Sequence, residues 1–187
     1  MNLPYEIRDP IYGFISFNDW ERKIINNPVF QRLRRIKQNA LTDFIYPGMN
    51  HTRFEHSLGV MKLADDMFNA IKSDKKSMDR LKDWGISKAA MERSRHLIRL
   101  AALLHDVGHP PFSHASEEIM PTNKNTGEKI KHELYTAELI NKKMRGLIED
   151  HKMNRGIGIN AEDISSFFNG AVPNKDLLWK EIISSQL

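Results

Sequence analysis

The spacing of apolar side chains along the chain predicts helices over most of its length. The stretch from Arg53 to Lys72 predicts a long helix, because apolar residues recur there every three or four positions. The stripe comprises Phe54, Leu58, Met61, Phe68 and Ile71. A second helix is predicted from about Met91 to Val107, which is apolar nearly all round after Arg99. A helix of that kind is expected at the centre of a fold.

Turn and capping residues delimit the shorter elements. Pro10 and Gly13 predict a strand or hairpin between Asp9 and Phe17. Segments 44–50 and 121–131 are predicted loops, the second exposed and mobile. Capping residues, prolines and glycines predict further helices over 19–26, 29–38, 78–84, 132–150, 160–168 and from about 174 onward. The predicted fold class is all-α with a minor N-terminal strand or hairpin, in one domain over residues 1–187.

Composition narrows the class of protein. The 187 residues are 40% hydrophobic and contain no cysteine, which excludes disulfides and thiolate metal sites. No apolar run approaches the roughly 20 residues of a membrane span. Residues 1–8 lack the pattern of a secretion signal, so we expect a cytoplasmic protein with no membrane partner. The net charge is +4. The lysines and arginines of the sequence form clusters, which indicate either solvated helix faces or attraction of phosphates. Charge alone does not distinguish these two interpretations.

Candidate metal ligands follow the central apolar helix directly. His105 and Asp106 stand at its end, and four of the eight histidines, at positions 105, 109, 114 and 132, fall within 28 residues. A buried carboxylate needs a cation or several hydrogen-bond donors, and a divalent metal is the simplest partner. Without cysteine the ligands are His, Asp or Glu, which suit Mn, Fe, Mg, Zn or Co.

A second candidate segment opens the long helix. Arg53 and His56 are three residues apart, so both project from the first turn on roughly the same side. A guanidinium beside a metal-binding imidazole suits a substrate that carries phosphate, whose charge arginine holds with paired hydrogen bonds. The alternative is a surface arginine and a core histidine.

These segments carry a family resemblance. The sequence RFEHSLGV at 53–60, followed by HDVGHPPFSH at 105–114, resembles the HD-domain phosphohydrolase superfamily. Within it, the chain is most similar to the deoxynucleoside triphosphate triphosphohydrolase (dGTPase-like) branch, also through NPVFQRLRRIKQ at 27–38 and DPIYGFI at 9–15. The resemblance implies an HD-domain helical bundle and a metal-dependent enzyme that hydrolyses a dNTP to deoxynucleoside and triphosphate.

The resemblance also implies roles for particular residues. His56, His105 and Asp106 match three of the family's four metal ligands. Arg53 matches a residue that grips the substrate triphosphate, and Gln38 matches one that contacts the deoxyribose near its 3′-hydroxyl.

A further group matches residues on the phosphate side of the family's site. His109, His114 and His132 match the histidines there, and Glu117 stands where the family often has an acidic partner of the His114 counterpart. We therefore expect His114, oriented by Glu117, to act as general acid toward the leaving oxygen, since histidine can supply a proton near neutral pH.

The chain departs from the family pattern at the fourth metal ligand. That ligand is an aspartate in a segment beyond the helix in which this sequence ends. We therefore expect the domain to be C-terminally incomplete, or a partner to supply the ligand, and the metal affinity to be lower. Asp163 or Asp176 could substitute, although their spacing does not support it.

A second departure concerns regulation. Gln31 and Arg34 match regulatory-nucleotide contacts of activated members, or they form a capped, solvated helix face. Asn26 stands where those members have an aspartate that recognises guanine, so control by GTP is not expected.

Three alternatives stay open at this stage. The chain could be a nucleotide monophosphatase or phosphodiesterase on the same scaffold, or a degraded module that binds nucleotides or single-stranded nucleic acid. The expected partners are a dNTP substrate, a second copy of the chain through self-association, and single-stranded nucleic acid.

Overall fold

The computed structural model describes residues 1–123, 127 and 129–184, apart from the side chains of Glu117, Lys175 and Ser184. The α-helices of these residues are α1 (Asp19–Ile25), α2 (Pro28–Gln31), α3 (Arg53–Ser73), α4 (Lys75–Asp83), α5 (Lys88–Leu104), α6 (His132–Leu139), α7 (Arg145–Glu149), α8 (Ala161–Asn169) and α9 (Leu177–Ser184). Short 3₁₀ turns cover Arg32–Arg35, Thr42–Phe44, Ser113–Ile119, Lys152–Asn154 and Asn174–Asp176. Within these ranges no helix has the length and apolar character needed to cross a bilayer.

The N-terminal hairpin is the minor strand element. Strands β1 (Tyr5–Asp9) and β2 (Gly13–Phe17) pair antiparallel, with Asp9 opposite Gly13. The Asp9 carboxylate accepts hydrogen bonds from the backbone N–H groups of Ile11 and Tyr12, at 2.8 and 2.9 Å, which closes the turn. The predicted fold class is therefore confirmed, and the first strand begins four residues earlier than predicted.

Helices α3 and α5 form the centre of the bundle. Every side chain from Leu97 to Leu104 on α5 is buried, as its continuous apolar character predicts. One of them is Arg99, which donates to both carboxylate oxygens of Glu21, at 2.6 and 2.8 Å. Its guanidinium also lies 2.9 Å from a carboxylate oxygen of Asp65 on α3. This buried network joins α1, α3 and α5 and holds the two central helices in register.

The predicted helix over 29–38 is shorter than expected. Helix α2 ends at Gln31, a 3₁₀ turn follows, and Ile36 is extended. The backbone carbonyl of Ile36 accepts from the N–H of Arg53 at 2.8 Å, and the N–H of Gln38 donates to His51 at 3.1 Å. The helix does not continue here because the backbone groups of Ile36 and Gln38 form hydrogen bonds with the chain that enters α3. That pairing brings Gln38 beside the start of α3.

The central helix also ends earlier than predicted, at Leu104 instead of Val107. The backbone beyond it forms a tight turn over 105–108, and its carbonyls are bonded from outside the helix. The Arg32 guanidinium donates to the carbonyls of Val107 and His109, at 2.5 and 2.8 Å. The hydroxyl of Thr136 donates to the carbonyl of His105 and accepts from the N–H of Gly108, both at 3.0 Å. These side chains replace helical hydrogen bonds and set the position of the turn.

Two other predicted elements differ in detail. The predicted helix over 132–150 is a continuous run of α6, a π-helical segment (Ile140–Met144) and α7. The final helix is preceded by a 3₁₀ turn, so α9 begins at Leu177 and not near Asn174. Residues 124–126 and 128 of the predicted loop, and 185–187 at the end of the final helix, lie outside the described residues.

Candidate active site

Two elements bring together the three residues proposed as metal ligands. Thr52 caps α3, and Glu55 completes the capping box, so His56 lies in the first turn of the helix. His105 and Asp106 lie in the turn after α5. The Nε2 atom of His105 is 3.2 Å from Nε2 of His56 and 3.3 Å from Oδ1 of Asp106. His56 Nε2 lies 3.8 Å from the other oxygen of Asp106. The predicted convergence of the three ligand types is thus present.

The donor atoms fit a divalent metal ion. Nitrogens that share an ion at ~2.1 Å lie roughly 3.4 Å apart in tetrahedral geometry. The 3.2 Å separation of the two Nε2 atoms is close to that value. The Nδ1 atom of His105 lies 2.8 Å from the carbonyl oxygen of Ala102, a contact in which Nδ1 carries the proton. Nε2 of His105 is then the atom with a free lone pair, as in other metal sites with an oriented imidazole.

The protonation states of the cluster also suit a cation. Burial, with a further contribution from the neighbouring His105, lowers the pKa of His56 to about 4. His56 is therefore neutral at pH 7, the form that binds metals. Burial alone would favour the protonated acid at Asp106, but His105 and the Arg53 guanidinium outweigh it and hold the pKa of Asp106 far below its usual range. The cluster offers the neutral imidazole of His56, the Nε2 atom of His105 and the carboxylate of Asp106.

Arg53 lies beside this cluster, but it is buried, with only 2% of its surface exposed. Its Nη1 donates to Oδ2 of Asp106 at 2.6 Å, its Nε donates to the hydroxyl of Ser113 at 3.0 Å, and its Nη2 also donates to Ser113. These three bonds use three of the five guanidinium N–H groups. Among the described residues, Arg53 is thus an ion-pair partner of a candidate metal ligand, and its contact with substrate phosphate stays a prediction.

The predicted phosphate-side histidines form a second cluster next to the first. The ring centroids of His109 and His114 are 4.8 Å apart, and those of His114 and His132 are 5.4 Å apart. Nε2 of His109 lies 3.3 Å from Asp106, which links the two clusters. Burial lowers the pKa of His109 to about 2, so it is neutral at physiological pH. His114 is exposed, whereas His109 and His132 are buried.

This second cluster is poorly arranged for a metal, although its nitrogens lie within 4.8 Å of one another. The rings of His109 and His132 are stacked, with centroids 3.6 Å apart and planes inclined by 24°. The lone pairs of imidazole lie in the ring plane, so those of two stacked rings lie in separate, nearly parallel planes and are not directed at one ion. The arrangement suits hydrogen bonding to an anion better than metal ligation.

The other predicted site residues have different outcomes. The side chain of Glu117 lies outside the described residues. Gln38 lies near the site through its backbone, whose carbonyl accepts from the Ser113 hydroxyl at 3.0 Å. Asp163 pairs with Arg93 at 2.8 Å and lies in neither group of candidate ligands found in the described residues. Asp176 also lies in neither of these groups, and it lies by a cavity of about 710 Å³ lined by Trp84 and Trp179.

The predicted regulatory positions are bonded within the chain. The side-chain oxygen of Gln31 accepts from Arg34 at 2.9 Å, and its amide donates to the carbonyl of Ile25 at 2.7 Å. The Arg34 guanidinium lies 3.5 Å from the ring centroid of Phe54. Asn26 is exposed at the end of α1. This arrangement agrees with the alternative of a capped helix face.

Sequence reasoning missed three residues that build the site. Ser113 bonds Arg53, Thr136 bonds the turn over 105–108, and Arg32, which belongs to one of the basic clusters of the sequence, bonds the same turn. Ser113 lies inside the sequence that carried the resemblance, and Thr136 stands one helical turn after His132. No signal in residue type or spacing distinguishes them from ordinary core polar residues.

Fold and site together define a class: a helical protein in which two helices bring histidines and an aspartate into one candidate metal centre. Residues 53–165 match the family described as HD domain. The chain therefore belongs to the HD domain family, which confirms the resemblance seen in the sequence.

Several relatives carry a functional description. The chain is 34% identical to the deoxynucleoside triphosphate triphosphohydrolase SAMHD1 homolog of Dictyostelium discoideum, a match that covers 88% of this chain and 29% of that protein. It is 32% identical to the deoxynucleoside triphosphate triphosphohydrolase SAMHD1 of Mus musculus, a match that covers 96% of this chain and 26% of that protein. An uncharacterised protein of Methanocaldococcus jannaschii is 42% identical, with 67% and 24% covered. The chain spans about a quarter of the length of these relatives.

A solved structure supports the fold. The crystal structure of a hypothetical protein from Aquifex aeolicus is similar to this chain with a TM-score of 0.69 and 29% sequence identity. The match covers 95% of this chain and 41% of that one.

Proposed function

We propose that the chain is a metal-dependent phosphohydrolase that cleaves a dNTP to deoxynucleoside and triphosphate. The observation that carries the proposal is the convergence of His56, His105 and Asp106 beside Arg53 and a cluster of histidines. The names of the SAMHD1 relatives support the choice of substrate.

The first cluster would hold the metal. His56, His105 and Asp106 supply three ligands, and catalytic metal sites in proteins keep further positions open for water and substrate. When bound, a divalent ion there would polarise a phosphate oxygen and facilitate attack by water. Arg53 would add a second positive charge next to that position, and the bonds to Asp106 and Ser113 use three of its five N–H groups.

The second cluster would handle the leaving group. His114 is the exposed member, so a substrate reaches it first, and a histidine proton donor contributes ~10²–10⁴-fold to a rate. His109 stays neutral because burial lowers its pKa to about 2, and it can accept or donate one hydrogen bond without adding charge. We propose that Glu117 orients His114 and that Gln38 contacts the sugar, as the family resemblance implies. Self-association, nucleic-acid binding and a cytoplasmic location stay predictions from the sequence.

Product analysis tests the proposal. The protein is incubated with Mn²⁺ and each dNTP, and ³¹P NMR separates intact triphosphate from orthophosphate. We expect triphosphate from the wild type and none from Asp106→Ala. The matched control is Asp66→Ala, which removes an exposed carboxylate that pairs with Lys62 on the outer face of α3.

Other products would select one of the alternatives. Orthophosphate from a nucleoside monophosphate would indicate a monophosphatase, and opening of a diester would indicate a phosphodiesterase. A chain that retains no metal, turns over none of these substrates and binds single strands with a steep salt dependence would be a degraded binding module.

A further inference from the structure

Ser113 has a backbone conformation that serine rarely adopts. Its φ is +56°, and among the described residues the other non-glycine residue with positive φ is Ala40. The left-handed region costs most residues free energy, and glycine is the usual occupant. Ser113 is also buried, with 2% of its surface exposed. A strained, buried serine requires an explanation in the contacts that it makes.

The hydroxyl of Ser113 has a partner for each of its hydrogen-bonding functions. It accepts from Nε of Arg53 at 3.0 Å and from Nη2 of the same guanidinium. It donates to the backbone carbonyl of Gln38 at 3.0 Å. One hydroxyl thus connects the residue proposed to grip the phosphate with the backbone of the residue proposed to contact the sugar.

The position of the guanidinium depends on this hydroxyl. Arg53 is held on one side by Asp106, at 2.6 Å, and on the other by Ser113. Asp106 is also a candidate metal ligand, so a bound metal would share its oxygens with Arg53. The contact with Ser113 is the one that metal binding does not compete for.

We propose that Ser113 is a positioning residue that orients Arg53 for binding of the substrate's triphosphate. Its hydroxyl sets the plane of the guanidinium, and its left-handed backbone lets the chain carry that hydroxyl inward while the next residue, His114, is exposed. This inference rests on the proposed function, because it requires that Arg53 binds phosphate.

Three substitutions distinguish the effect of the Ser113 hydroxyl from the effect of the backbone strain. Ser113→Ala removes the hydroxyl and keeps the strain, Ser113→Gly removes the hydroxyl and relieves the strain, and Ser113→Cys restores a weaker donor and acceptor. The probe is inorganic triphosphate, whose binding to the Mn²⁺-loaded protein is measured by calorimetry together with the metal content. The matched control is Ser116→Ala, in the same 3₁₀ turn.

We expect Ser113→Ala and Ser113→Gly to weaken triphosphate binding about tenfold or more, as for loss of a hydrogen bond to a charged group, with unchanged metal content. Ser113→Cys should recover part of the affinity, and Ser116→Ala should bind like the wild type. In the background of Arg53→Lys, Ser113→Ala should have little further effect, because it acts through Arg53. A role in stability alone would leave the affinity of folded protein unchanged.

The outcomes distinguish this inference from the proposed function. If the wild type binds triphosphate and Ser113→Ala binds it equally well, or if Ser113→Gly restores full affinity, the inference is wrong and the proposed function stands. Additive effects of the Ser113 and Arg53 substitutions would also overturn it. If the metal-loaded wild type binds no triphosphate, the proposed function itself fails, and the inference fails with it.

Discussion

The turn after α5 depends on a glycine that touches the backbone of α6. A Cβ atom placed on Gly108 would lie 2.3 Å from the backbone nitrogen of Thr136 and 2.4 Å from the carbonyl oxygen of His132. Ordinary contact begins at 3.4 Å, so Gly108→Ala requires α6 to retreat by about 1 Å. That movement lengthens both hydrogen bonds between the Thr136 hydroxyl and the turn. It also displaces His132 from the histidine cluster.

The expected cost of Gly108→Ala follows from these contacts. Overpacking costs about 1–3 kcal/mol and each buried hydrogen bond contributes about 1 kcal/mol, so the free energy of unfolding should fall by about 3–5 kcal/mol. The total free energy of unfolding of a natural domain is about 5–15 kcal/mol. Urea unfolding followed by circular dichroism measures the loss.

A second glycine provides the control. Gly146 lies in α7, and its added Cβ would meet one side-chain oxygen, of Asp150, at 3.4 Å. Gly146→Ala should be neutral or stabilise by about 0.5–1 kcal/mol, because alanine favours the helix. If the free energy of unfolding of Gly108→Ala lies within about 1 kcal/mol of the wild-type value, the turn does not approach α6 as closely as described, and the reasoning is wrong.

Three further predictions test the core and the site. Arg99→Met should lower the free energy of unfolding by about 3–5 kcal/mol, because Glu21 loses its buried partner; urea unfolding measures it, and a loss below 1 kcal/mol would contradict the buried network. In the presence of a chelator, the free energy of unfolding should not depend on the protonation of His56 and His109 above pH 6.5. It should decrease as the pH is lowered below 6.5. The unfolded chain then binds protons that the folded chain, with pKa values of about 4 and 2, excludes. Each contributes about 1.4 kcal/mol per pH unit. Thermal unfolding at pH 7.5 and 5 measures this, and His109→Gln should reduce the difference. Finally, Mn²⁺ should raise the melting temperature of the wild type but not of His105→Ala, since a ligand stabilises the state that binds it; equal shifts would place the metal elsewhere.

The sequence by itself determined the helical class and the residue types of the candidate site. The repeat of apolar residues in α3 and the continuous apolar character of α5 are local features, so the central pair of helices was predictable. The candidate ligands were visible as His105 and Asp106 at the end of a buried segment and as His56 near the start of a helix. That these side chains meet was inferred from the family resemblance, and the structure brings their donor atoms within 3.2–3.8 Å.

The tertiary structure alone decided how those residues are held. Gln38 lies in a turn and not in a helix, because the chain around it pairs with the start of α3. Helix α5 ends at Leu104, because Arg32 and Thr136 bond the turn beyond it. Arg53 faces Asp106 and a serine 60 positions later in the chain. Periodicity and capping report on neighbours within a few residues, whereas these contacts join distant segments whose approach depends on the packing of the whole bundle.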